Sequence, residues 1–218
     1  MPTTFTLNGA VLDAMLSFTA EPNSIHSVLT GVLAEITPDS LRLVATQTHV
    51  LGVMHLTAMN GYGLDLQCAE PLQIVLPVAE MKPLLKDRRY PAVTVSIDGL
   101  QVTVRNSAGI TTTIQGRPGD EFPTYLRVLP EGDPQPLPGL ALDLGLLARF
   151  TAFARTLREE PKLTMSFHSV QGPIGVRLKT LSSFYGVIMP LQLECSAAVP
   201  NWLRPPVEER TIRALIEG

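Results

Sequence analysis

One order of hydrophobic patterns occurs three times along this chain: a strand, a helix, then three strands. In the first copy residues 4–9 alternate as a strand. Residues 10–20 set Val11, Leu12, Met15, Leu16 and Phe18 at mainly helical spacing, and Pro22 ends that helix. Strands follow at 27–36, 41–46 and 48–57, with Thr37-Pro38-Asp39-Ser40 as a turn and Asn60-Gly61-Tyr62-Gly63 as the close. The second copy runs through a strand at 72–76 and a short helix at 78–86 with Pro83 inside it. Its hairpin, 92–97 and 100–105, turns on Asp98-Gly99, and 110–115 is its last strand. The third copy has a strand at 140–143, a helix at 144–157, strands at 163–168 and 174–178, and a final strand from Phe184. A chain so built is expected to be an α+β protein assembled from β-α-β-β-β units of roughly 45–65 residues each.

The last strand, Phe184-Tyr185-Gly186-Val187-Ile188-Met189-Pro190-Leu191-Gln192-Leu193, runs into a proline. Proline cannot donate to a ladder, so pairing must end or bulge near Met189. Met189, Pro190 and Leu191 are then expected as an apolar cluster at a sheet edge, with methionine as an adaptable wall for a groove. Ordinary core packing is the competing reading of so short an apolar run. Residues 116–138 are proline-dense and read as an extended linker, with a domain boundary near residue 135. The expected organisation is a two-unit domain at 1–130, a Pro-rich linker at 131–139, a one-unit half domain at 140–195 and a tail at 196–218. That tail holds Trp202 and a short helix presenting Ile212, Leu215 and Ile216 on one face.

Composition narrows the function classes. The 218 residues are 45% hydrophobic and 17% charged, which is not a disordered composition. No apolar run approaches the roughly 20 residues of a membrane helix, and the N-terminus lacks a signal-peptide pattern. Two distant cysteines, Cys68 and Cys195, make neither a disulfide framework nor a zinc site, and a reduced, cytoplasmic protein is expected. A net charge of −3 argues against a surface basic all over but allows one basic face. The four histidines are dispersed, no Gly-rich phosphate loop or G-x-S-x-G occurs, and Glu159-Glu160 and Glu208-Glu209 sit in polar surroundings. No nucleophile, base and oxyanion donor come together, so neither enzyme activity nor a cofactor or metal is expected.

With the repeat in view, four segments make the chain resemble the bacterial replicative sliding clamps, the β subunits of DNA polymerase III. Leu41-Arg42-Leu43-Val44-Ala45-Thr46-Gln47-Thr48-His49-Val50-Leu51 is similar to the family's L-x-x-V-A-T-D-G-H-R-L. Glu121-Phe122-Pro123-Thr124-Tyr125-Leu126-Arg127-Val128-Leu129-Pro130 resembles the E-F-P-D-Y-x-R-V-L-P link between the second and third clamp domains. The helix at 144–158 is a weaker likeness, and Val187-Ile188-Met189-Pro190-Leu191-Gln192-Leu193 resembles the closing V-V-M-P-M-R-L. The resemblance spans roughly residues 5–193 and implies a DNA-clamp fold of about one and a half domains. The first clamp domain and half of the third have no counterpart. The chain departs from the family at Gln47, Thr48, Val50 and Gln192, where Asp, Gly, Arg and Arg are usual.

The resemblance places Leu29, Thr46, His49, Leu51, Leu129, Pro130, Val187, Met189, Pro190 and Leu191 in an apolar pocket. In the family that pocket takes linear motifs of polymerases and clamp loaders. Aliphatic walls of this kind bind a Leu- or Phe-bearing peptide by burial, at about 25 cal/mol per Å² before ordering costs. A second set, Lys82, Lys86, Arg88, Arg89, Arg149, Arg155 and Arg158, falls on or beside the second and third helices. By the same likeness these helices would touch duplex phosphates without reading bases; a solvated basic face is the plainer alternative. The first helix carries only Asp13, which counts against a continuous basic lining. The expected protein is a replication or repair accessory factor acting as a homo-oligomer. A non-ring module that recruits, mimics or sequesters clamp partners stands beside that reading. So does a scaffold whose tail, residues 201–218, assembles the protein or occludes its pocket.

Overall fold

The computed structural model describes residues 2–60, 62–85, 91–132, 140–169 and 171–191. The first unit comprises β1 (Thr3–Asn8), α1 (Gly9–Met15), β2 (Val32–Ile36), β3 (Leu41–Thr46), β4 (Val50–Leu56) and the short β5 (Asp65–Gln67). The second comprises β6 (Leu72–Leu76), α2 (Val78–Leu85), β7 (Ala92–Asp98), β8 (Gln101–Asn106), β9 (Thr111–Gln115) and the short β10 (Arg117–Pro118). The third has α3 (Leu144–Leu157), β11 (Leu163–Ser166), β12 (Ile174–Leu178) and β13 (Leu181–Ile188).

Local chemistry sets the helix ends. The Asn8 side chain accepts from the Ala10 amide at 3.0 Å, and Asp143 accepts from the Gly145 amide at 2.7 Å, so each satisfies an otherwise orphaned donor at a helix start. The first helix is shorter than its pattern predicts, because after Met15 the chain tightens into a 3₁₀ turn, Leu16–Phe18, and then extends. Residues 27–30 likewise form a 3₁₀ turn rather than the beginning of a strand.

Two antiparallel sheets result, in the orders β5-β1-β7-β8-β9 and β10-β6-β2-β3-β4-β13-β12-β11. The first two units exchange their leading strands: β1 pairs with β7 of the second unit, and β6 pairs with β2 of the first. Each leading strand is flanked on its other side by the segment trailing its own unit, β5 beside β1 and β10 beside β6. The third unit joins through β4 and β13, from Phe184 opposite Met54 to Ile188 opposite Val50. The expected boundary near residue 135 is thus bridged by a continuous ladder. β13 lies inside the sheet between β4 and β12, so Met189–Leu191 follow an interior strand and not an edge.

Strand alternation buries the larger sheet on both faces. One face, with Ile36, Leu43, Met54, Ile74 and Ile188, meets the helices and the smaller sheet in the main core. The other, with Leu33, Val44, Leu51, Val75 and Val187, is covered by Leu29, Phe122 and Tyr125. Residues 116–129 are therefore not an extended linker. They form β10 and the 3₁₀ turns Gly119–Glu121 and Tyr125–Val128, packed on the sheet. The expected strand at 140–143 has no regular ladder; among the described residues, apart from the first turn of α3 closing on the Asp143 carbonyl, one backbone bond engages it, from the Leu191 amide to the Ala141 carbonyl at 2.9 Å.

Aromatic packing closes the junction of the third unit. Phe18, Phe150, Phe153 and Phe184 cluster with centroid separations of 4.4 to 6.2 Å. Gly52 and Gly186 face each other across β4 and β13, and a Cβ on them would lie 2.4 Å from the Phe18 ring and 2.3 Å from the Phe150 ring. The paired glycines make room for the two rings. Tyr62 also bridges the units, its hydroxyl donating to Glu159 Oε1 at 3.3 Å. Burial first, then the nearby Glu159 carboxylate, pushes its phenol up to about 12.

Candidate peptide-docking notch and basic helix face

The notch forms where the turn between β3 and β4 meets the end of β13. Thr46 Oγ1 donates to the Val50 carbonyl at 2.8 Å and the Gln47 amide donates to the same oxygen at 3.2 Å, which folds Gln47-Thr48-His49 into a tight turn. Thr48 sits there at φ 75°, a left-handed conformation costly for a β-branched residue. Its hydroxyl is within 3.0 Å of His49 Nδ1 and also reaches the Gln47 carbonyl. One rung beyond β13, the Met189 amide donates to the His49 carbonyl at 2.9 Å. Pro190 then stops the ladder, as its missing N–H requires.

Thr46, Thr48, His49, Val50, Leu51, Val128, Val187 and Met189 line a cavity of about 20 Å³, room for little more than a water molecule. Beneath them Leu29, Leu51 and Val187 are 4%, 2% and 2% exposed and make a packed floor. His49 is exposed and Met189 and Pro190 are half-buried at the rim. Val128 on the notch wall is exposed, and so are Leu126 and Leu191, each two residues along the chain from a lining residue, Val128 and Met189. Leu129 packs partly into the outer core, while Val128 stands at the notch where the likeness placed Leu129 and Pro130. The backbone around His49 and the end of β13 thus converge with the link. What they frame is a shallow, largely apolar depression with Met189 in its wall.

A polar clasp holds the link in place. Tyr125 donates to Glu35 Oε2 at 2.8 Å, and Arg42 donates to Glu35 Oε2 at 3.0 Å and to the Tyr125 oxygen at 3.2 Å. Gln73 donates to the other Glu35 oxygen at 3.3 Å. Burial above all pushes the Tyr125 phenol up, and the Tyr125 hydrogen bond, ahead of Glu35, raises Arg42. Neither the clasp nor the Gly52–Gly186 pair was singled out from sequence. A glycine inside each of two apolar strands was the available signal.

The basic set is divided by the fold. Lys82, Arg155 and Arg158 are exposed. Arg149 is half-buried and donates to the carbonyls of Ser17 at 2.9 Å and Thr19 at 3.2 Å, closing the 3₁₀ turn after α1. One nitrogen of its guanidinium, Nη1, is thereby held inside the fold. Lys86, Arg88 and Arg89 lie outside the described residues, as do Gln192 and the tail with Trp202. Leu144, Ala148 and Ala152 share the exposed face of α3 with Arg155, so that face is largely apolar. Among the described residues no cluster of three or more His, Cys, Asp or Glu side chains is placed to hold a metal, and no helix is long and apolar enough to cross a membrane.

Solved sliding clamps have this architecture. The chain superposes on the DNA polymerase III β subunit of Thermotoga maritima with a TM-score of 0.64 and 18% identity, covering 88% of this chain and 66% of that one. For the β chain of Streptococcus pneumoniae the TM-score is 0.71 at 11% identity, covering 94% and 68%. For the sliding clamp of Pseudomonas aeruginosa it is 0.62 at 17% identity, covering 87% and 66%. No protein-family model and no curated protein matches the sequence. At these identities the likeness is one of fold, and the chain spans about two thirds of the length of the clamps it matches. The α+β architecture, the exchanged leading strands and these superpositions together identify the chain as a shortened form of the bacterial sliding-clamp fold.

Proposed function

We propose that this protein is a clamp-like accessory factor of DNA replication or repair that docks short linear motifs of a polymerase or clamp-loader-type partner at the notch. The observation that carries the reading is the junction of His49 and Met189, joined by a backbone bond and flanked by the link residue Val128. Open apolar groups at Leu126, Val128 and Leu191 give a Leu- or Phe-bearing peptide surface to bury, and Met189 gives a wall that can adjust. Anisotropy of a labelled peptide carrying a Leu-Phe pair tests it. Binding to the full chain is expected, weakened at least tenfold, about 1.4 kcal/mol, by Met189→Ala with Leu191→Ala. No affinity, or affinity indifferent to that double substitution, would remove the reading.

A second reading keeps the motif site without an encircled duplex. Arg149 favours it, since its Nη1 is tied to the Ser17 and Thr19 carbonyls, which anchors the side chain to the turn after α1 and limits its reach toward a phosphate. So does the apolar stripe of Leu144, Ala148 and Ala152 on α3. Motif binding with no measurable affinity for duplex DNA at low salt would select this second reading.

A further inference from the structure

The third unit is half of a reciprocal pair. In the first two units each leading strand has two neighbours, its own trailing segment and the sister unit's sheet: β5-β1-β7 and β10-β6-β2. Their helices pack against each other as well, α1 on α2. In the third unit, residues 140–143 keep the first neighbour, through the Leu191 amide on the Ala141 carbonyl at 2.9 Å. On the other side no strand pairs with them among the described residues, and none pairs with the outer edge of β11, which ends the larger sheet.

Both edges are built to be paired. Leu140 and Leu142 alternate and pack partly against the main core, as Phe5 and Leu7 do fully in β1. Along β11 the Lys179 amide donates to the Lys162 carbonyl at 2.9 Å, which sets the alternation of the ladder. With Leu163 opposite Leu178 and Met165 opposite Val176, the backbone groups of Leu163 and Met165 point to the open side. The helix repeats the pattern. Arg149 marks the flank of α3 that meets α1 and its 3₁₀ extension, and Leu147 and Thr151 lie roughly 160–200° round the helix from it.

We propose that the missing sister is the third unit of a second copy of this chain, related by a two-fold axis. Residues 140–143 of each copy add to β11 of the other, and the two α3 helices pack through Leu147 and Thr151. The occupant follows from the fold's own template. The first two units exchange leading strands reciprocally, and an exchange of that kind between identical units is isologous and closes on itself. The added strand continues the ladder already running from β10 to β11. In β1 the residue before the helix, Asn8, faces the first residue of β7, Ala92. Keeping the core faces together, as Leu7 faces Val93, sets Leu142 opposite Leu163 and Asp143 opposite Lys162 of the other copy, a match of charge as well as of edge, with Lys162 exposed and bridged in its own chain to Glu160 at 3.1 Å.

A cysteine on the proposed axis tests this in the full-length protein. Thr151→Cys, in a background with Cys68→Ser and Cys195→Ser, is expected to give a covalent dimer on mild oxidation, and Met59→Cys on a 93% exposed loop residue is expected to give none. Light scattering should give at least twice the 23.7 kDa of one chain. Met165→Pro removes an edge N–H that makes no bond to β12 and should at least halve that mass while circular dichroism holds. A 23.7 kDa species without cross-link would overturn the proposal, the case if the chain's own residues 192–218 cover the edge. So would a multimer in which Thr151→Cys fails to cross-link, or a folded Met165→Pro protein of unchanged mass.

Discussion

Two glycines and one threonine carry unusual weight for their size. Gly52 and Gly186 stand opposite each other where the third unit joins, and the Phe18 and Phe150 rings fill the space their missing Cβ atoms leave. A methyl group there meets ring carbon at under 2.5 Å, so the rings must leave their rotamers or the strands must part. Gly52→Ala and Gly186→Ala are each expected to destabilise by about 1–3 kcal/mol, the usual cost of overpacking. Urea unfolding would show this as a lowered midpoint at unchanged slope. Thr48 runs the other way. It stands where clamp sequences usually have glycine, and it holds φ at 75° beside the notch. Thr48→Gly should stabilise the protein by roughly 1 kcal/mol through relief of that strain, offset in part by glycine's greater freedom when unfolded. An unchanged or lower midpoint would show that the bonds of the Thr48 hydroxyl outweigh the strain.

Among the elements, the link after β10 departs furthest from its sequence pattern. Its prolines and charges read as solvent-exposed chain, yet Phe122 and Tyr125 are buried on the outer face of the larger sheet. Proline density reports backbone stiffness and says nothing of where two aromatic side chains go. The strands and helices were legible because a period of two is written in residues such as Val93, Val95 and Ile97 and helical spacing in Val11, Leu12 and Met15. The notch was legible only through likeness to a family, because it joins turns from residues 46–51, 128 and 187–189 that no local pattern connects. The clasp makes the link testable by itself. Tyr125→Phe removes a donor to Glu35 and an acceptor for Arg42, but those two still pair with each other, so a loss of about 1 kcal/mol is expected. Tyr125→Ala also gives up ring burial and should cost about 3–5 kcal/mol and weaken peptide binding. The phenol's folded pKa lies above its ordinary 10.0, so its contribution is whole below that pH and fades as pH rises through the folded value. Tyr125→Phe should remove that part of the alkaline loss.

For the whole molecule, the decisive quantity is how many cations it can offer to a duplex. Repeat order predicted the architecture. It did not predict that one ladder would run through the expected domain boundary, because strand pairing between β4 and β13 depends on register over more than 120 intervening residues (about the size of a domain). Nor did it reveal that Arg149 is spent on Ser17 and Thr19, since a basic residue on a helix reads alike whether it faces solvent or a neighbouring turn. Of the three exposed cations of the basic set, Arg158 caps the end of α3 and is left out of the count, while Lys82 and Arg155 stand on helix faces. If each meets one phosphate, log affinity should fall against log salt with a slope of about −1.8 per chain, or about twelvefold between 50 and 200 mM. Assembly multiplies that slope by the number of chains on the DNA, so two chains acting together should lose over a hundredfold across the same interval. Lys82→Glu with Arg155→Glu should flatten the dependence, and Arg149→Ala should lower stability without changing the slope. Filter binding or anisotropy on a nonspecific duplex, run beside light scattering at each salt, reads both quantities at once. A slope that stays near −2 while the mass shows a multimer would mean that these helices do not face the DNA together.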